Sequence, residues 1–449
     1  MNGLIADASP EKHLFLEMFI RDLTLEDSIL DLVDNSIDSL IRERNINVSE
    51  ALEPVATNPD LPRAAQATMK PATINITLND KYFQIVDNCG GISIDDAKRE
   101  VFRFGHPKEA KVGQLGVYGI GLKRAIFKIG NDITIESKTA REGFKMVIDV
   151  TKWSEKREWE LPFEVIDGTG GPSIAGTSIT IRAFRPEVAE RLRSGRLEGN
   201  LKEMIARTYC LFLDRYVEVT LNEHKIEPDY IPLGSSTEAN VAKEVFEDNG
   251  VTVTIYAGLA ARDEEGRWQA ADAGWYVACN GRLVVSADRT ELTGWGIGVG
   301  TFVPKYRGFI GLVFFYSRNP LLLPWTTTKR GLNQESLVFQ RTRTRMAAIA
   351  RPVMRFLDDM YSSEEREREP QRQVASGMKP QDVRDLTTQS QAKFEAKVQP
   401  LGEHSVRVQY DAKEHELDRV RKALGKRSWP ATRIGRYTFD HFLKTECPE

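Results

Sequence analysis

Three short segments near the start of the chain interrupt its hydrophobic pattern with acids and glycines: DLVDNSID (31–38), IVDNCGGI (85–92) and YGIGLK (118–123). The first lies on a helical pattern. Thr24 and Asp27 have capping-box spacing, with aspartate in place of the usual glutamate. Behind them Ile29, Leu30, Val33, Ile37, Leu40 and Ile41 recur at helical intervals, which predicts a helix of roughly five turns. The second segment ends an apolar strand in Asp87 and then Gly90-Gly91. The third is a glycine-rich loop that opens an apolar-periodic helix (Leu122, Ala125, Ile126, Ile129). Each alone is a common pattern. Their order and contexts require a fold in which a helix face, a strand end and a glycine loop meet.

On the first helix Asp31, Asn35 and Asp38 stand at i, i+4 and i+7, on one face opposite the apolar stripe. An amide oxygen is a suitable hard ligand for Mg²⁺, and a carboxylate one turn away can orient or deprotonate a water. Asp87 at a strand end can accept a hydrogen bond from an exocyclic amine such as that of adenine, and glycine lets backbone approach a base closely. Gly116, Gly119 and Gly121 leave backbone N–H groups and a helix N-terminus free to face phosphate oxygens, with Lys123 as an added point charge. No Gly-Lys-Ser/Thr occurs there, so this is not a Walker loop, and the βαβ context of a dinucleotide fingerprint is missing.

In this order the segments resemble the ATP-binding domain shared by gyrase, the large heat-shock chaperones, histidine kinases and MutL-type mismatch-repair proteins, the GHKL superfamily. Within it the chain looks MORC-like or MutL-like. The resemblance implies an α+β protein: a Bergerat-type α/β sandwich over 1–190 that binds ATP with Mg²⁺, then a smaller α/β transducer domain over 200–361. It makes Asn35 the Mg²⁺ ligand and Asp31, where the family usually has Glu, the general base. Asp38, Asp87, Gly91, Ile92 and Thr177 would serve the nucleotide from the helix and the adenine side. Gly116, Val117, Tyr118, Gly119, Ile120, Gly121, Leu122 and Lys123 would face the phosphates. Phe104-Gly105-His106-Pro107-Lys108 resembles the MORC-type Phe-Gly-x-Ser-x-Lys segment, which puts Gly105 and Lys108 in an ATP lid spanning 93–118. Cys89 replaces the first glycine of the family's Asp-x-Gly-x-Gly. In PWTTTKRG (324–331), Lys329 would be the transducer lysine that reaches the γ-phosphate, with Arg330 as its rival. Asn280-Gly281-Arg282 resembles the Asn-Gly-Arg turn of MutL-type transducers, and an ordinary hairpin turn explains the Asn-Gly pair equally well.

At 449 residues two or three domains are expected. The net charge of −3 excludes a polyelectrolyte-binding chain as a whole, so any nucleic-acid surface must be a local patch. Four separated cysteines without a Cys-x-x-Cys pair support neither a zinc site nor a disulfide framework. No signal-peptide pattern opens the chain, and Phe309–Tyr316 is too short to span a bilayer, so a cytoplasmic location and no membrane partner are expected. Residues 362–403 read as a linker, and 404–449 as a small module with a strand-like SVRVQY and seven basic residues from Arg419 to Arg436. The functional expectation is a slow ATPase switch that forms an ATP-dependent homodimer and acts with a protein partner or DNA, in DNA processing or antiphage defence. The alternative is a non-hydrolysing ATP sensor that docks a partner protein.

Overall fold

The computed structural model describes residues 11–48, 70–104, 115–116, 119–166, 175–361, 365–380, 383, 393–398, 409 and 411–447. Helix α1 (Lys12–Ile20) leads into α2 (Leu25–Glu43), whose start is fixed as the sequence predicts: Thr24 Oγ1 accepts from Asp27 N at 3.2 Å. The apolar stripe Ile29, Val33 and Ile37 is fully buried. Each such side chain contributes about 1.5–3 kcal/mol relative to exposure, so the stripe holds α2 in place and turns its polar face toward a cavity.

That stripe packs over an eight-stranded sheet of β1 (Ala72–Leu78), β2 (Phe83–Asp87), β3 (Gly130–Lys138), β4 (Gly143–Asp149), β5 (Phe163–Ile166), β6 (Gly176–Phe184), β7 (Val217–Leu221) and β8 (His224–Lys225), in the order β5-β4-β3-β6-β2-β1-β7-β8. Ala72, Ile74, Ile76 and Leu78 point inward from β1 at the two-residue period of a half-buried strand. The β1–β2 hairpin turns at Asn79, whose Oδ1 accepts from Lys81 N and Tyr82 N. Helix α3 (Gly121–Ile129) lies beside α2 and feeds directly into β3. This is the α/β sandwich that the resemblance implied.

Two helices, α4 (Pro186–Arg193) and α5 (Leu197–Thr208), carry the chain to β7. The sequence placed Val217–Leu221 in a second domain beginning at 200. In the structure it pairs in parallel with β1, so the first sheet continues past that boundary. A second, five-stranded sheet follows: β9 (Ala242–Asp248), β10 (Val251–Leu259), β11 (Gly274–Cys279), β12 (Arg282–Asp288) and β13 (Phe309–Tyr316), in the order β9-β10-β13-β11-β12. The central strand β13 pairs with β10 antiparallel and β11 parallel, and its run from Phe309 to Phe315 is buried. Helix α6 (Leu337–Met360) packs against this sheet.

The segment 362–403 that read as a linker contains helix α7 (Glu365–Ser376), packed against α6, with Val374, Ala375 and Met378 buried. Its charge masked these few anchors. Residues 1–399 form one compact unit and 400–449 another. In the second unit α8 (Glu414–Ala423) and α9 (Ala431–Glu446) are joined by a turn in which Arg433 stacks 4.4 Å over the Trp429 ring. The SVRVQY reading lies outside the described residues except for Gln409. Among the described residues no helix is long and apolar enough to cross a membrane.

Candidate functional site

One cavity opens between the polar face of α2, the end of β2 and the N-terminus of α3. It is lined by Asp31, Asn35, Asp38, Asp87, Ile92, Gly116, Gly119, Ile120, Gly121, Leu122, Lys123, Thr177 and Lys329. The structure therefore brings together these thirteen of the sequence-predicted residues from five separate stretches of chain. Gly91 stands just behind the wall, its carbonyl accepting from Ser39 Oγ at 3.2 Å. Gly105, Lys108, Val117 and Tyr118 lie outside the described residues.

Asp87 is buried, and every contact it makes fixes its orientation. Oδ1 accepts from Cys89 N at 2.9 Å and from Thr177 N at 3.2 Å, and Oδ2 accepts from Ser36 Oγ at 2.8 Å. Burial pushes its pKa up, while these three hydrogen bonds oppose the rise. Oδ2 has accepted a single bond and keeps acceptor capacity. The cysteine at the family's first glycine position fits this turn because the left-handed backbone falls on the next two residues, Gly90 (φ 107°) and Gly91 (φ 74°). A Cβ at Gly91 would stand 2.1 Å from the carbonyl oxygen of Lys138, so only glycine fits there.

Asp38 anchors the loop before α3. Its Oδ1 accepts from Leu115 N at 2.6 Å and its Oδ2 from Gly116 N at 2.7 Å. Burial outweighs these bonds and pushes the carboxyl up to about 7. No side chain caps the N-terminus of α3, which leaves its first amides toward the cavity. A Cβ on Gly121 would lie 3.3 Å from the Asp31 carboxylate, so the helix start and α2 approach closely. Lys123 is buried, donates to Val101 O at 2.7 Å, and is pushed down to about 8 by desolvation. It thus ties α3 to the first described part of the segment read as a lid, a short helical turn Ile94–Asp96 running into Ala97–Val101.

On α2, Asn35 Nδ2 donates to Asp31 O at 2.7 Å, which leaves its Oδ1 as the free acceptor end. The Asp31 carboxylate borders the cavity, with burial raising its pKa against the pull of Lys329. Lys329 Nζ sits 3.7 Å from Asp31 Oδ1 and 2.6 Å from Asp34 Oδ2. Asp34 Oδ1 accepts in turn from Tyr209 Oη at 2.7 Å and Arg282 Nε at 3.0 Å, and Arg282 Nη1 donates to Lys329 O at 2.7 Å. Burial works against every charge in this group, yet the opposite charges outweigh it: Asp34 is held below its ordinary value, and Lys329 and Arg282 above theirs. Lys329 itself adopts a left-handed conformation (φ 55°), costing on the order of 1 kcal/mol, which the Arg282 clamp on its carbonyl offsets. Arg330 turns away, donating to Asp27 Oδ1 and, at 2.8 Å, to Thr24 Oγ1 at the start of α2.

Asp34 and Tyr209 were missed by sequence reasoning. Asp34 sits one position before Asn35 and faces the second sheet rather than the cavity, and nothing local distinguishes it from a solvated helix acid. Arg282 was legible only as part of Asn280-Gly281-Arg282. That turn is indeed the β11–β12 hairpin, with Asn280 (φ 46°) and Gly281 (φ 81°) left-handed, and it delivers Arg282 to Asp34.

A family model described as histidine kinase-, DNA gyrase B- and HSP90-like ATPase matches residues 23–167. No curated protein matches the chain.

Proposed function

We infer from the match of residues 23–167 to the histidine kinase-, DNA gyrase B- and HSP90-like ATPase family model that this chain is a Mg²⁺-dependent ATPase switch of the MORC-like or MutL-like kind. The observation that carries the reading is Lys329: it reaches, from 162 residues beyond the matched segment (329 − 167), into the same cavity as Asp31, Asn35 and Asp87.

The cavity fits ATP as substrate. Asp87 would accept the adenine amine with its remaining lone pair, its carboxylate already oriented by Ser36, Cys89 and Thr177. The glycine loop and the uncapped N-terminus of α3 would face the phosphates. Asn35 Oδ1 would hold Mg²⁺, which would offset the charge of the phosphates. Asp31 would orient and deprotonate the attacking water, its raised pKa bringing it closer to the operating pH of a base. Lys329 would stabilise charge developing at the γ-phosphate. Residues 93–118 would close as a lid over bound nucleotide and complete a homodimer interface, with DNA or a protein partner as the client.

A second reading is favoured by one feature, the pairing of Lys329 with Asp34 and Asp31 beside a base one methylene shorter than Glu: a sensor that binds ATP without turnover. Phosphate release from Mg²⁺-ATP at steady state separates the two. Light scattering with and without a non-hydrolysable analogue tests the switch, and a single mass in both conditions would sink it.

A further inference from the structure

Remote from the nucleotide cavity, and sharing no lining residue with it, a second cleft of about 880 Å³ lies between the loop 262–270, the turn Pro304–Gly308, the C-terminal end of α6 and helix α7. Four arginines line it, Arg262, Arg267, Arg307 and Arg372, and among the described residues no carboxylate does. Arg267 is neutralised by Asp263 and Glu265. Among the described residues the other three have no ion-pair partner. Arg262 stacks 4.6 Å over the Trp268 ring and donates Nη1 to Gly266 O at 2.8 Å, while its buried Nε has no hydrogen-bond partner among the described residues. Among the described residues Arg307 reaches the Tyr361 hydroxyl, at 3.4 Å. The nearby Asp358 is taken by Lys305 at 2.6 Å. Burial, together with the charge of Arg307, holds the Arg262 guanidinium below its ordinary value, with Tyr361 opposing. Like charges gathered in a concave site without counter-charges destabilise the chain that holds them, and an anion relieves this.

We propose that this cleft is a binding site for a ligand presenting two or more phosphates, gripped by the guanidinium forks of Arg262, Arg307 and Arg372. Arginine suits that chemistry because its planar donors pair with phosphate oxygens two at a time. The free Nε of Arg262 is such an unused donor, preset by the indole beneath it. The half-exposed ring of Tyr361 at the rim gives a base or sugar a face to rest on. The chain is slightly acidic as a whole, so this patch is local.

The test uses the full chain and two probes, a fluorescently labelled single-stranded oligonucleotide and tripolyphosphate as competitor, with Arg307→Gln/Arg372→Gln as the variant. Both side chains are exposed, so the fold should hold, and ATP affinity at the other cavity reports that it does. The wild type should bind one or both probes with an affinity that falls as salt rises. The variant should bind at least tenfold more weakly, with the oligonucleotide salt slope reduced by roughly 1.4, about 0.7 for each of two lost phosphate contacts. Oligonucleotide binding assigns the phosphates to a nucleic-acid strand, and tripolyphosphate binding alone assigns them to a small ligand. No binding of either probe at low salt overturns the proposal. So does an unchanged affinity and slope in the variant, or a loss seen only on charge reversal of Lys422, Lys426 and Arg427 in the C-terminal unit.

Discussion

The ammonium of Lys329 lies 2.6 Å from the carboxylate of Asp34, a pair that joins residues 295 positions apart in the chain. Asp34 does not border the nucleotide cavity and Lys329 does. Helix α2 thus offers one aspartate, Asp31, to the cavity and another, Asp34, to the lysine loop. Arg282 closes the arrangement by holding both Asp34 and the Lys329 carbonyl.

Lys329→Ala should lower kcat far more than it weakens ATP binding, because the lysine acts on charge that develops at the γ-phosphate. Arg330→Ala should leave kcat nearly unchanged, since Arg330 serves the start of α2. Steady-state kinetics on both variants decide this, and the reverse pattern would move the role to Arg330.

Asp34→Asn should destabilise the chain by about 3–5 kcal/mol, because it leaves two buried cations facing a neutral amide. The urea midpoint measures it. A shift within experimental error would mean that the network is not formed in solution.

Asp87→Ala should abolish ATP binding, since the adenine amine would lose its buried acceptor. Wild type at 100-fold excess of ATP over Kd should gain about 2.7 kcal/mol of stability, seen as a rise in Tm. Retention of that rise in the variant would displace the adenine site.

Asp31→Asn should bind ATP and fail to hydrolyse it, because an amide takes no proton from water. Asp31→Glu restores the missing methylene and should match or exceed wild type. Persistent turnover in Asp31→Asn would pass the role of base to another group lining the cavity.

Asp38 links folding to pH. Its folded pKa, about 7, stands above the ordinary value of 3.8, so the folded chain binds the proton more tightly. Its contribution to stability is present below about pH 4 and is lost as pH rises toward 7. In Asp38→Asn that dependence disappears, while the amide N–H₂ opposes one of the Leu115 and Gly116 amides. The Tm advantage of wild type over the variant should therefore shrink between pH 4 and 7. An advantage constant across that range would show that Asp38 does not titrate there.

What the sequence revealed was what local chemistry writes into it. Thr24 and the apolar stripe of α2 gave the helix, and the polar face gave Asp31, Asn35 and Asp38. Strand β7 was assigned to the wrong sheet because a two-residue period says that a strand is half-buried and not which strand it pairs with. Asp34 was invisible for the same reason: its partners Tyr209, Arg282 and Lys329 come from three distant stretches. Helix α7 was obscured by its charge, since Val374, Ala375 and Met378 sit at its end and just beyond it rather than in a stripe along it.

At the root of the lid segment, Phe104 is enclosed by Phe15 and Phe19 of α1, Phe127 of α3, and the indoles of Trp153 and Trp159, with ring centroids 5.4 to 6.5 Å away. Trp153 is buried and Trp159 partly exposed, so the two report on different degrees of solvent contact. Any displacement of Phe104 changes the surroundings of both. The chain thereby carries its own optical probe: lid movement should appear as a change in intrinsic tryptophan emission, readable on the millisecond scale in a stopped-flow mixer without attaching a dye.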